Sequence, residues 1–108
     1  MTVYHGDFSS LEDMCEQFYL SKDYIKDYRV LYACYESGMY EGDAFVLVEH
    51  IPTGDWFECN SAHCSCNGLE WELELTSKKA LIYRAKADKN MMERIKDIPE
   101  MLDILILL

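Results

Sequence analysis

The hydrophobic positions along the chain change spacing twice, from helical to strand-like near residue 29 and back to helical after residue 76. Leu11, Met14, Cys15 and Phe18 recur at helical intervals, and a serine followed by acidic residues three positions later precedes them. The pattern predicts an N-terminal helix capped by Ser9 or Ser10, with Cys15 on its buried face. The segment 22–28 is expected to form a short helical turn that leads into a sheet.

Three runs rich in β-branched and aromatic residues follow this helical region. They predict strands at 29–35, 43–50 and 55–59, joined by two glycine-containing turns into an antiparallel meander. The second strand contains an unbroken apolar run, so both of its faces are expected to be covered and the strand to be central. Cys34 lies on the first strand and is expected to be packed.

The segment 70–75 alternates strictly between glutamate and apolar residues. Alternation of this kind places Trp71, Leu73 and Leu75 on one face of a half-exposed strand or extended segment. Helices then return. Thr76 or Ser77 is a suitable cap for a helix over 78–87.

A second C-terminal helix is expected after Asp88 or Asn90, and Pro99 begins a last turn. The segment 101–108 is unusually apolar, so we expect it either to fold back onto the sheet or to form a surface for self-association. These elements predict a single α+β domain over residues 1–108, with an N-terminal helix, an antiparallel three- to four-stranded meander sheet and C-terminal helices.

The charge of the chain is strongly negative and unevenly distributed. The formal net charge is −10, with a balance of −12 up to Leu75 and of +2 from Thr76 onward. Direct binding to nucleic acid or to an anionic membrane is therefore unfavourable. An acidic field can steer a protein toward a basic surface, although it also serves solubility alone. No secretion signal or membrane span is recognisable, which leads us to expect a cytoplasmic protein.

Potential metal-binding and nucleophilic side chains are concentrated between residues 59 and 66, which hold three of the five cysteines and one histidine. An odd number of cysteines without a secretion signal favours reduced thiols over disulfides. Thiolate and imidazole are zinc ligands, so a structural zinc site is one interpretation, and Cys15 or Cys34 is an alternative fourth ligand. The candidate ligands are Cys59, His63, Cys64 and Cys66.

The same segment has two other interpretations. A cysteine nucleophile needs an imidazole base, but the side chains of His63 and Cys64 would point to opposite faces of an extended strand. His5 and His50 are other candidate bases. Alternatively, the segment is a structural loop in which small residues pack and Gly68 supplies a turn. Common nucleotide-binding and hydrolase motifs are absent from the sequence, so an enzyme is the less favoured reading.

Two blocks of the sequence resemble a known group of proteins. Y-E-G-D-A begins at Tyr40, and S-A-H-C-S-C-N-G-L-E begins at Ser61. They are similar to small uncharacterised bacteriophage and prophage proteins with a Y-x-G-D-A strand start and an S-H-C-S-C-x-G-L-E segment. The similarity covers about a third of the chain, from Tyr40 to Glu72, with Ala62 as an insertion before the histidine. It implies a phage origin and an intracellular role, and it supplies no catalytic residue.

Together, the acidity and the resemblance lead to one functional hypothesis. A small acidic phage protein is expected to bind a basic nucleic-acid-binding surface of a host protein, such as a CRISPR or restriction effector, and to inhibit it. A metal-stabilised or cysteine-dependent domain and a self-associating phage accessory protein are the alternatives. The partner-binding residues are expected to be Glu36, Glu41, Asp43, Asp55, Glu70, Glu72 and Glu74.

Overall fold

A computed structural model describes residues 3–6, 8, 10–37, 41–64 and 69–105 of the chain; the side chains of residues 3, 5, 37, 41, 63, 64 and 104 lie outside this description. The elements follow one another in the order strand, two helices, four strands and C-terminal helices. Their bounds are β1 Val3–Gly6, α1 Leu11–Phe18, α2 Lys22–Ile25, β2 Tyr28–Ser37, β3 Glu41–His50, β4 Trp56–Cys64, β5 Glu74–Thr76, α3 Lys78–Ala85, α4 Lys89–Ile95, a 3₁₀ turn Pro99–Met101 and α5 Leu102–Leu105.

The five strands form one sheet in the order β1-β2-β3-β4-β5. Neighbouring strands from β2 to β5 are antiparallel, whereas β1 pairs with β2 in parallel. The predicted α+β fold with an antiparallel meander is thus confirmed, and β3 is the central strand as expected. The parallel strand β1 was not predicted.

The sheet is covered on both faces, and β3 shows this most directly. Ala44, Val46 and Val48 pack into one buried cluster, and Phe45 and Leu47 pack into another. Because successive side chains of a strand point to opposite faces, the two clusters lie on opposite sides of the sheet. The first cluster includes residues of α1 and α2, and we call its face of the sheet the α1 side. The second cluster includes residues of α3 and α4, and we call its face the α4 side.

Each of the helices α1 to α4 is preceded by a residue whose side chain accepts a hydrogen bond from a backbone N–H of the first turn. The side chain of Ser10 accepts from the backbone N–H of Asp13 at 3.1 Å, and Ser77 accepts from Ala80 at 3.1 Å. Ser21 and Asp88 cap α2 and α4 in the same way. The capping satisfies backbone donors that have no partner inside the helix. The helix starts at residues 11, 78 and 89 therefore agree with the sequence pattern.

Two details of the sheet differ from expectation. The predicted strand 55–59 continues to Cys64, because residues 60–64 pair with Glu41 to Phe45 of β3, so 60–64 are strand rather than loop. Of the alternating segment 70–75, only Glu74 and Leu75 pair with a neighbouring strand, as part of β5. Trp71 and Leu73 pack against the α1-side cluster as predicted, but Leu75 is 70% exposed.

The apolar C-terminal segment folds back onto the protein over its described part. Met101 is fully buried in the α4-side cluster, and Leu105 packs against the same cluster. Leu102 is half exposed. Residues 106–108 lie outside the described residues, so self-association through this segment stays a prediction.

Candidate functional site

The acidic residues predicted to bind a partner converge at the end of the sheet where β2 turns back into β3. Glu36 and Asp43 are Cα partners in the antiparallel ladder, and both are exposed. Directly opposed residues of an antiparallel pair share a face, with Cβ atoms about 4.5–5.5 Å apart. Two carboxylates at this separation repel each other, so this end of the sheet presents concentrated negative charge.

A polar cleft of about 330 Å³ lies beside this pair, between the sheet and α4. Glu36 and Asp43 form one wall, and Glu93 and Arg94 of α4 contribute to the other. The cleft thus holds three carboxylates and one guanidinium, which makes it net negative. The cleft is lined by Tyr32, Cys34, Glu36, Asp43, Phe45, Asn90, Glu93 and Arg94.

Packing against the floor of the cleft holds Arg94 in position. Its guanidinium lies over the ring of Phe45, 4.8 Å from the centroid, in a cation–π contact. The neighbouring Glu93 forms an ion pair with Lys96, with 2.6 Å between Oε2 and Nζ. Burial, followed by the charge and hydrogen bond of Cys34, raises the pKa of Tyr32, while Arg94 opposes this. Tyr32 therefore stays protonated at neutral pH and adds no charge to the cleft.

A second acidic group lies at the same end of the sheet, beyond β4. Glu70 and Glu72 line a cleft of about 90 Å³ together with Ser61 and Ala62. The backbone N–H of Glu70 donates to Ser61 Oγ at 3.0 Å, which fixes the acidic segment against the strand. Ala62 is also the Cα partner of Asp43. Glu70 and Glu72 thus lie one strand away from Asp43.

The structure divides the seven predicted partner-binding residues into two groups. Glu36, Asp43, Glu70 and Glu72 lie at one end of the sheet, which we call the acidic end. By its backbone pairing with Cys64, Glu41 belongs to that end too, and its side chain lies outside the described residues.

The other two predicted residues lie elsewhere. Glu74 pairs with Glu58, nearer the middle of β4. Asp55 adjoins Trp56 at the opposite end of that strand. The predicted set is therefore not one continuous surface.

The cysteine motif is represented in the described side chains by Cys59 alone. This thiol is fully buried in the α1-side cluster and donates to the carbonyl oxygen of Glu70 at 3.6 Å. Burial raises its pKa, and a backbone hydrogen bond from Glu72 lowers it by less. A buried, protonated thiol packs as a small apolar residue.

The other predicted metal ligands are only partly placed. His63 and Cys64 are paired through their backbones with Gly42 and Glu41, while their side chains and Cys66 lie outside the described residues. Over the part of the chain that the structure describes, three or more histidine, cysteine or carboxylate side chains do not come together as a metal site. A zinc site there stays a prediction.

The alternative ligands and bases are spread over the fold. Cys15 packs against the α1-side cluster and Cys34 against the α4-side cluster, so the sheet separates Cys34 from Cys59. The backbone of His5 in β1 pairs with that of Cys34 in β2, and the strands β2 and β3 separate β1 from β4. His50 Nδ1 lies 2.9 Å from Thr53 Oγ1, in the turn after β3. Neither His5 nor His50 has its backbone beside Cys59.

Sequence reasoning missed the contribution of α4 to the acidic end. Asn90, Glu93 and Arg94 line the polar cleft, while Met91 and Ile95 of the same helix are buried. The spacing of buried and charged residues in 89–95 is a signal for an amphipathic helix. It does not reveal that the polar face of the helix lies beside Asp43.

The described helices and the comparisons with known proteins add two findings. None of the helices in the described ranges has both the length and the apolar composition needed to span a membrane. No family model, curated protein or solved structure matches this chain.

Proposed function

We propose that this protein binds, through its acidic end, a basic nucleic-acid-binding surface of another protein and thereby blocks nucleic acid from that surface. The resemblance to phage proteins makes a host defence effector inside the bacterial cell, such as a CRISPR or restriction protein, the proposed partner. The observation that carries the proposal is the direct opposition of Glu36 and Asp43 beside the cleft.

This opposition favours a cationic ligand for a physical reason. Like charges directly opposite each other destabilise a sheet, and Arg94 is the one basic residue that lines the cleft among the described residues. An arginine or lysine of a partner that enters the cleft would relieve the repulsion. A carboxylate also offers two oxygens to a guanidinium, as a phosphate group does.

The arrangement of the charges supports a protein partner over a small cation. The carboxylates of Glu36 and Asp43 on two strands and of Glu70 and Glu72 beyond β4 span about 10 Å or more across the sheet, since adjacent strands are about 4.8 Å apart. A row of this length matches several basic side chains at once. The net charge of −10 opposes direct binding of nucleic acid to the same surface.

The test begins with capture of partners by the tagged full-length protein from nuclease-treated bacterial lysate at low and at high salt. A salt-sensitive nucleic-acid-binding protein, recovered in stoichiometric amount with the wild type, is the expected result. The purified partner is then assayed for binding of labelled nucleic acid with and without this protein. Competition between the two ligands is expected.

Asp43→Lys and Asp55→Lys are a matched pair for this experiment, because each changes the net charge by the same amount at opposite ends of the sheet. We expect Asp43→Lys to weaken partner binding about tenfold or more. Asp55→Lys should stay within about twofold of the wild type. If the two variants lose binding equally, or if reversal of Glu70 and Glu72 together leaves binding and its salt dependence unchanged, the acidic end is not the binding surface.

A further inference from the structure

A groove lies between α1 and α2, on the face of the sheet opposite the polar cleft. It has a volume of about 830 Å³. Because the helices α1 and α2 pack on the α1 side of the sheet and the polar cleft lies on the α4 side, the two sites face different directions. The apolar residues that line the groove are Leu11, Cys15, Tyr19, Leu20, Ile25 and Tyr28.

The two rims of this groove carry opposite charges at the same spacing. Glu12 and Glu16 lie one helical turn apart on α1, and Lys22 and Lys26 lie four residues apart at α2. All four residues are exposed, and no ion pair among the described residues involves any of them.

These two lysines are unusual for this part of the chain. Up to Leu75 the sequence has one further basic residue, Arg29, and that residue pairs with Glu49 at 2.9 Å. Among the described residues up to Leu75, the groove therefore holds the two basic side chains that form no ion pair.

Tyr19 marks the same surface. It ends α1 with φ 58° and ψ 40°, in the left-handed region, and its side chain is 85% exposed. The backbone N–H of Leu20 donates to the carbonyl of Cys15 at 2.9 Å, and that of Tyr19 donates to Glu16 at 3.3 Å. This is a helix end at which glycine is strongly preferred, and a tyrosine there is strained. An exposed aromatic residue on a strained backbone is typical of a functional contact.

We propose that the occupant of this groove is a second copy of the same chain. If two copies face each other across a two-fold axis that runs along the groove, Glu12 and Glu16 of each copy lie opposite Lys22 and Lys26 of the other. A two-fold axis across the groove would instead oppose like charges. The charge pattern therefore selects a single relative orientation.

This orientation also explains the tyrosine and the choice of partner. The Tyr19 side chain of each copy packs into the apolar groove of the other, where it is buried. A uniformly basic partner is repelled by the lysine rim and a uniformly acidic one by the glutamate rim. A second copy supplies both signs in the required order. The dimer leaves the polar cleft of each copy on an outer face, because the cleft lies on the α4 side of the sheet.

A charge-swap experiment tests the proposal on the full-length protein under reducing conditions. Glu12→Lys/Glu16→Lys makes both rims basic, and Lys22→Glu/Lys26→Glu makes both rims acidic. Sedimentation equilibrium should show a concentration-dependent dimer for the wild type. It should show a dissociation constant about 30-fold higher or more for each variant alone.

Mixing the two variants is the decisive step, since their rims are then complementary on both sides. An equimolar mixture is expected to form a heterodimer, and a chain that carries all four reversals is expected to form a homodimer again. The double variant Lys79→Glu/Lys86→Glu has the same net charge as Lys22→Glu/Lys26→Glu but alters exposed residues of the α3 region, and it should dimerise like the wild type.

Tyr19→Gly provides a second variant that does not depend on charge. It relieves the strained backbone, so the chain remains folded, and it should weaken dimerisation about tenfold or more. Tyr83→Ala removes an exposed tyrosine on α3 and should leave the dimer unchanged. A wild type that stays monomeric at every concentration overturns the proposal. A dimer that neither the charge variants nor Tyr19→Gly weakens also overturns it and assigns association to another surface.

Discussion

Arg84 on α3 and Glu58 on β4 form an ion pair of 2.6 Å that links the C-terminal helices to the sheet. The Glu58 side chain is 4% exposed, and the same oxygen, Oε1, also accepts from Asn60 Nδ2 at 2.9 Å. Its other oxygen is buried without a hydrogen-bond partner among the described residues. The favourable interaction that offsets the burial of this carboxylate therefore depends on Arg84.

Arg84→Met is expected to lower the free energy of unfolding by about 1–3 kcal/mol. The variant keeps most of the packing volume and leaves the Glu58 carboxylate buried without its cation, and the partial exposure of Arg84 reduces the loss below that of a fully buried pair. Urea denaturation followed by circular dichroism measures the change. Adding Glu58→Gln to the same chain should recover part of the loss, because no buried charge then remains.

The exposed ion pair between Lys96 and Glu93 is the comparison for this effect. Lys96→Met breaks a contact of the same length, 2.6 Å, between side chains that are 49% and 68% exposed. Its cost should be below about 0.5 kcal/mol, because water screens an exposed pair. Equal losses for Arg84→Met and Lys96→Met would show that burial of Glu58 does not determine the cost.

Local signals made most of the fold predictable from the sequence. The caps at Ser10, Ser77 and Asp88 act within three residues of themselves, so their effect can be recognised without knowledge of the fold. The apolar run of β3 likewise reports burial on both faces of one strand. The α+β class and the central position of β3 follow from these signals.

Contacts between distant segments explain what the sequence did not predict. The parallel strand β1 has only four residues, and its position depends on β2, more than 20 residues away. Asn60 to Cys64 have weak strand preference but pair because β3 extends alongside them.

The same limit applies to the acidic end. The opposition of Glu36 and Asp43 depends on the register of a hairpin, and the contribution of Glu93 depends on the packing of α4. Neither relation is visible in charge counts along the chain, which is why Asp55 was grouped with residues that lie at the other end of the sheet.

The free energy of unfolding should fall at alkaline pH because of thiols and phenols that the fold keeps protonated. Burial raises the pKa of Cys15 and Cys59 above the ordinary value of 9.0, and that of Tyr28 and Tyr32 above 10.0. Each group binds its proton more tightly in the folded than in the unfolded chain, so its stabilising contribution is complete below the ordinary pKa. That contribution is lost as pH rises through the folded pKa. We expect a decline above about pH 9 in urea midpoints measured under reducing conditions.

Cys59→Ala tests whether ionisation of the Cys59 thiol causes part of this decline in stability. The variant removes one of the thiols whose pKa is raised, so the slope of stability against pH between about 9 and 10 should be smaller than in the wild type. Its stability at neutral pH should be lower, because the buried sulfur leaves a cavity. An unchanged slope would mean that Cys59 ionises no less readily in the folded than in the unfolded chain.

Asp43→Asn should make the protein more stable while it weakens partner binding. The substitution removes one charge of the opposed pair with Glu36, and the expected gain is about 0.2–1 kcal/mol at low salt. Added salt should reduce the gain, because it screens the repulsion in the wild type. Asp55→Asn, an equal change of charge at the other end of the sheet, should stay within about 0.5 kcal/mol of the wild type. If Asp43→Asn is neutral or destabilising at low salt, the opposed carboxylates are not under electrostatic strain.

Tyr19→Gly is expected to raise the free energy of unfolding of the monomer by about 0.5–1 kcal/mol. Glycine adopts φ 58° without the steric penalty that a Cβ atom imposes, and an 85% exposed side chain contributes little packing that could be lost. The measurement is urea denaturation at a concentration at which sedimentation shows monomer. Tyr19→Asn should gain less, since asparagine tolerates the left-handed region only moderately well, and Tyr19→Val should lose stability, because a β-branched residue tolerates it poorly.

A gain in monomer stability together with a loss of dimer would mean that Tyr19 is retained at a cost to the fold for its contact with the second copy. A loss of monomer stability with Tyr19→Gly would instead assign Tyr19 a role within its own chain.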